Sequence, residues 1–255
     1  MSALQLAIRQ VRYTNKSFWR NPASAFFTFA FPLMFLVIFT AIFGGTTDTP
    51  FGTIDTSNYY IPAIATFSII TATYTNLAIS VTFLRDAGIL KRVRGTPLPA
   101  WAYMLGRVVH AVLMSFVLVA IVIVFGIAFY HATFPTERLL PIVVTIVVGA
   151  AAFSALGLAV TSIVPNADAA PAVVNATVLP LLFLSGVFIP LPPGNPWFVV
   201  VAKFFPIYHF AHAMLSSYFL PTGNGWEGSD IATVALWGVI GAVVAVRRFR
   251  WEPKR

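Results

Sequence analysis

Long stretches without charge constrain this chain more than any other feature. Ala23–Gly44 runs 22 residues without Asp, Glu, Lys or Arg, and Tyr59–Leu84 runs 26. A helix rises 1.5 Å per residue, so about 20 apolar residues cross the roughly 30 Å hydrocarbon core of a bilayer. Mainly apolar segments follow at 101–130, 139–164, 171–190 and 229–247. Backbone in lipid must satisfy its own hydrogen bonds, as a helix does. The expected fold is an all-α integral membrane protein with six transmembrane helices. Composition agrees: 58% of residues are hydrophobic and 9% charged, where soluble domains carry about 25% charged.

The placement of charge sets orientation. The net charge of +8 is compatible with nucleic acid or with an anionic membrane surface. Its residues cap apolar segments and form no stripe on a soluble fold, so the lipid bilayer is the expected partner, with no nucleic acid. The N-terminal segment holds four basic residues, the island from Arg85 through Arg107 five, and the tail RRFRWEPKR five, which is 14 of 16. Positive charge favours the cytoplasmic side, so both termini are expected inside. Five of the eight acids (Asp48, Asp55, Glu137, Glu227 and Asp230) fall on the other side, and 45–58 reads as a polar loop there. The N-terminus lacks the cleavage pattern of a secretory signal. The chain has no cysteine, which excludes disulfides and thiolate metal sites.

Residues 191–228 do not fit a plain span. Pro190, Pro192, Pro193 and Pro196 forbid a regular helix at the start, and Trp197–Phe205 and Ile207–Leu220 are each too short to cross. If they crossed together, the basic tail would face outward. A re-entrant pair of helices dipping in from the outer side is therefore expected. Residues 3–20 fit an amphipathic interfacial helix, with Leu4, Ala7, Ile8, Val11 and Phe18 on one side and Arg9, Arg12, Lys16 and Arg20 on another.

The segment 84–100 must sit in water between two spans. Asp86–Val93 suits a short helix, ended by TPLP. Ile89, Leu90 and Val93 offer apolar contact there, and Lys91, Arg92 and Arg94 offer charge. The alternatives are a topogenic loop and a docking element, and an apolar-plus-basic helix between two spans favours docking.

No catalytic constellation is visible. The phosphate-cradling GxxxxGK[ST] is missing, so no cofactor site is expected and the chain is not expected to be an enzyme. His209 and His212 can share a helical face, but no acid lies near them in sequence, so no metal site is expected. No span carries a charge near its middle, which argues against an ion-coupled pump. In the second span Thr66, Thr73, Asn76 and Ser80 share one face, and Ser68, Thr71, Thr75 and Thr82 the opposite one. Either these groups bond their own backbone, or one face lines a pathway. Asn175 and Thr177 in the fifth span are similar candidates.

Four stretches together carry a family resemblance. They are the interfacial helix with Asn21-Pro22 before the first span, RDAGILKRVRGTPLP after the second, PNADAAPAVVNATVLPLLFLSGVFIP across the fifth, and FFPIYHF beyond it. The chain resembles the membrane permeases of ABC-2 type exporters, most closely the bacterial drug- and lipid-exporting branch. The resemblance implies a bacterial plasma-membrane protein that pairs with a second copy or a sister permease. It also implies two separate cytoplasmic ATPase subunits, which bind ATP and Mg. By it, Asp86, Gly88, Ile89, Leu90, Lys91, Arg92, Arg94 and Pro97 belong to a coupling helix docked on the ATPase. Arg9, Arg12, Lys16 and Arg20 belong to a connecting helix beside it. Thr66, Thr73, Asn76, Ser80, Asn175 and Thr177 are candidates for the substrate pathway. The function implied is ATP-powered export of a hydrophobic or amphipathic molecule. The alternatives are polysaccharide or glycolipid export, and a channel or scaffold outside this family.

Overall fold

A computed structural model describes residues 3–49, 52–132, 136–191, 197–218 and 224–252. The amphipathic segment forms α1 (Ala3–Trp19), and α2 (Pro22–Ile42) follows after Asn21. Where a polar loop was expected, β1 (Thr46–Thr49) pairs antiparallel with β2 (Gly52–Asp55), Thr46 opposite Asp55. Along β2 Thr53 and Asp55 are exposed and Ile54 between them is buried, the period of a strand. The helix then begins at Thr56, whose hydroxyl donates to Phe43 O at 2.9 Å.

The second apolar run is one continuous helical stretch with a fault in it: α3 (Thr56–Ile70), a π-helical turn at Thr71–Thr75, and α4 (Asn76–Asp86). Such turns widen the backbone locally and expose carbonyls. The island is α5 (Ile89–Arg94), followed by α6 (Ala100–Tyr130), a 3-10 turn at Thr136–Arg138 and α7 (Leu139–Val160). Next come α8 (Ala170–Leu184), α9 (Trp197–Ala202), α10 (Pro206–Tyr218) and α11 (Gly228–Arg248).

Five of these helical stretches are long and apolar enough to cross a membrane: α2, α3–α4, α6, the 3-10 turn with α7, and α11. The expected fifth span, 171–190, is helical only through Leu184, because Gly186 turns the chain with φ +77°. α8 is therefore a shorter apolar helix of 15 residues. Its two ends still touch opposite ends of the second stretch: Ala170 clusters with Ala78, and the Tyr59 hydroxyl donates to Gly186 O.

Close packing is made by small residues, as in membrane bundles. Gly238 and Gly241 of α11 lie against Ala152 and Leu156 of α7, and Gly157 of α7 faces the carbonyls of Thr73 and Tyr74 in the π turn. A Cβ on Gly157 would stand 2.8 Å from Tyr74 O. The main core gathers Tyr60, Ile64, Phe153 and Phe210. A separate cluster joins Leu90 of the island to Tyr103 and Leu158, with Phe249 and Trp251 of the tail packed against it. The island and the tail thus meet at one end of the molecule. α1 reaches the same end through Gln10 against Gly106 and Phe18 beside His110. This is called the basic end below.

Candidate coupling corner and transport groove

Arg85, at the end of α4, has 2% of its surface exposed, although it opens the basic island. Its guanidinium donates to Thr161 O at 3.0 Å, and to Val164 O and Pro165 O at 3.1 and 3.3 Å. These carbonyls belong to the turn after α7. A planar fork with five N–H donors suits such a cluster. Asp86 completes the joint: Oδ1 takes Arg85 Nε at 3.2 Å, and Oδ2 accepts the backbone N–H of Ala167 at 2.6 Å. Ala87 and Gly88 then reverse the chain, Gly88 at φ +69°, a conformation that glycine adopts without a Cβ penalty. The island is thereby fixed to both α4 and the α7–α8 turn.

The expected coupling residues divide into two groups. Asp86 and Gly88 make the joint, and Leu90 is fully buried beneath it. These three hold the island to the bundle, Leu90 with no outward surface and Asp86 and Gly88 with only part of theirs. Lys91, Arg92, Arg94 and Pro97 are exposed, and Ile89 is 41% exposed. Arg9, Arg12, Lys16 and Arg20 all lie on the exposed side of α1, while Ala7 and Thr14 are buried. Ile8 and Trp19 are also exposed, so α1 keeps an apolar surface outside the bundle.

Between α1, α4, α5 and α6 lies a cleft of about 660 Å³. Its walls include Gln10, Asn76, Ser80, Ile89, Arg107 and His110. Thr28, Ala72 and Asn76 are shared with a second cavity of about 220 Å³ between α2 and the π turn, which extends to Ser68. The two form one groove leading from the basic end along the second stretch. Arg107 Nε donates to Tyr103 Oη at 3.2 Å, and its Nη2 is buried with no hydrogen-bond partner among the described residues.

The six pathway candidates also divide. Thr66 and Thr73 are wholly buried and donate to Pro62 O and Ile69 O at 2.9 and 2.6 Å. They satisfy their own backbone inside the protomer, so the expected polar face is not one surface. Asn76 and Ser80 line the groove. Thr177 bonds Tyr74 Oη at 2.7 Å, tying α8 to the π turn, and Asn175 is half-buried on the same helix. Ser68 lines the groove, although it lay on the face set aside; the π turn rotates the lower half of the stretch relative to the upper, which a constant helical period cannot show.

At the opposite end, one feature escaped the sequence entirely. Asp230, in the first turn of α11, stands between the two histidines of α10: His209 Nδ1 is 2.6 Å from Oδ1, and His212 Nδ1 is 2.6 Å from Oδ2. The expectation that this pair has no acid nearby is corrected by folding, since the partner comes from 18 residues beyond His212. α10 also reaches inward, and Phe210 contacts Phe153 at 5.3 Å, midway along α7.

The fold defines a multi-pass membrane protein with a rigid basic corner and a groove beside it. The family model for ABC-2 type transporters matches residues 7–219, from α1 through α10. The chain belongs to that family. Membership makes it a permease component of an ABC transporter, a class that lacks a nucleotide-binding site of its own and generally works in dimers with ATPase subunits. Among curated proteins, none is similar enough to count as a relative.

Proposed function

We propose that the chain is the permease of an exporter that moves a hydrophobic or amphipathic, drug- or lipid-like substrate across a bacterial plasma membrane. Two such permeases, or this one with a sister permease, enclose the route, and two separate ATPase subunits on the cytoplasmic side bind ATP and Mg and drive it. The chain crosses six times with both ends inside, α8 and the residues after it making the fifth crossing. α9 and α10 form the re-entrant outer pair; the reach of α10 only to the middle of α7 supports this.

One observation carries the reading. The groove is walled by α1 and α5, the elements an ATPase would push, so motion of the island changes its mouth directly. Lys91, Arg92, Arg94 and Pro97 form the docking surface, and Arg9, Arg12, Lys16 and Arg20 lie at the headgroups beside it. Asn76, Ser80 and Asn175 touch substrate, while Thr177 positions α8 and Ser68, bonded to Ile64 O, only backs the groove wall. Thr66 and Thr73 are left out because of their burial. The unpartnered Arg107 Nη2 favours a substrate with an anionic or hydrogen-bond-accepting head.

The test is the permease reconstituted with the ATPase that co-purifies with it, assayed against drugs, lipids and glycolipids. Ile89→Glu with Arg92→Glu should abolish substrate-stimulated ATP hydrolysis while membrane insertion is unchanged. Full stimulation in that variant would refute the docking role. A cysteine at residue 92 that reacts only with an external impermeant reagent would refute the orientation.

A further inference from the structure

The outer cluster contains a contradiction that a proton or a cation must resolve. His209 Nε2 lies 2.7 Å from Lys203 O. A carbonyl only accepts, so Nε2 carries the hydrogen. In the neutral ring, Nδ1 is then a lone pair, and it points at a carboxylate oxygen 2.6 Å away. His212 turns its own Nδ1 onto the other oxygen of the same carboxylate. Glu227 is close as well, and donor atoms of His212, Glu227 and Asp230 all lie within 4.8 Å of one another. The Glu227 carboxylate is oriented by Ser216 Oγ, which donates to Oε1 at 2.9 Å. One imidazole and two carboxylates therefore converge, with the His209 ring held against the other oxygen of Asp230.

We propose that His212, Glu227 and Asp230 form a binding site for a divalent transition-metal cation of the zinc type, with water in the fourth position and His209 holding Asp230. The ligand chemistry fits: imidazole nitrogen and carboxylate oxygen are the donors zinc takes in four-coordinate sites. The outer shell fits too. A ligating carboxylate is commonly held by a hydrogen-bonded neighbour, and His209, its ring fixed by Lys203 O, does this for Asp230. Tyr208 stacks on the His212 ring, 17° from parallel, and limits its rotation. Ligand atoms around a tetrahedral zinc sit about 3.3 Å apart. The 2.6 Å contact of His212 with Asp230 opens by about 0.7 Å to admit the ion. The ion would pin α10 to the start of α11, two elements that already pack on each other.

This site does not depend on the transport reading, because its readout is binding. The full-length chain, purified in nanodiscs and stripped with chelator, is titrated with Zn²⁺ by calorimetry at pH 7.5, with bound metal counted by mass spectrometry. One Zn²⁺ per chain is expected at micromolar affinity or tighter, with affinity falling at least tenfold at pH 5.5 as protons compete for the imidazoles. Asp230→Asn and His212→Ala should each weaken binding at least tenfold, and His131→Ala should not. Glu227→Gln is the safeguard if Asp230→Asn fails to fold, with at least threefold weakening expected. Absence of stoichiometric uptake, which would leave a purely protonic His–Asp–His bond, overturns the proposal. So does uptake that survives His212→Ala and Glu227→Gln.

Discussion

The two ends of the molecule hold their charges in opposite ways. At the basic end, Arg85 is bound to three backbone carbonyls and Asp86 to a backbone N–H. A guanidinium keeps its charge under any physiological condition, and carbonyls do not titrate. The guanidinium–carbonyl bonds of that joint therefore hold across physiological pH. At the other end, Asp230 is held by two imidazoles, each on its own oxygen. One corner is tied mainly to backbone, and the other holds the donors of the proposed cation site.

Breaking the basic corner should have the largest effect. Arg85→Ala removes three hydrogen bonds from a buried guanidinium to carbonyls and leaves the half-buried Asp86 without its cation, a loss of about 3–5 kcal/mol. Thermal unfolding of the purified protein should show a large drop in midpoint that chelators and zinc do not alter. Arg85→Lys should recover only part, since one ammonium cannot reproduce the fork. Between the two ends, Gly157→Val should cost about 1–3 kcal/mol by overpacking, because the π-turn carbonyls it meets are backbone and cannot swing aside. The corner of the proposed cation site comes next. Asp230→Asn should lower stability by about 1–3 kcal/mol at neutral pH, and the deficit should widen when zinc is added, because only the parent chain gains from binding. A deficit independent of zinc would make the two corners alike. The smallest effect on stability belongs to Lys91→Glu with Arg92→Glu, within about 0.5 kcal/mol, because both side chains are exposed. The same pair should nevertheless uncouple a partner ATPase. A large melting shift there would mean that the island's outer face, and not Arg85 and Leu90 alone, holds it to the bundle.

The sequence by itself determined the solvent, the helical class and which stretches are apolar, because each follows from runs of residues and from the 1.5 Å rise of a helix. It also determined the amphipathic α1 and the short helix in the island, whose patterns are local. Tertiary structure decided what pairs with what. Nothing near Arg85 announces that its guanidinium turns inward to carbonyls some 80 residues on, while Arg92, seven residues later, stays exposed. The π turn shifts the helical phase, so Thr66 and Asn76, one face on paper, part into core and groove. Asp230 reaches His209 only because the chain returns, and hydrogen bonds, unlike helical periodicity, form between atoms that are close in space and not in sequence.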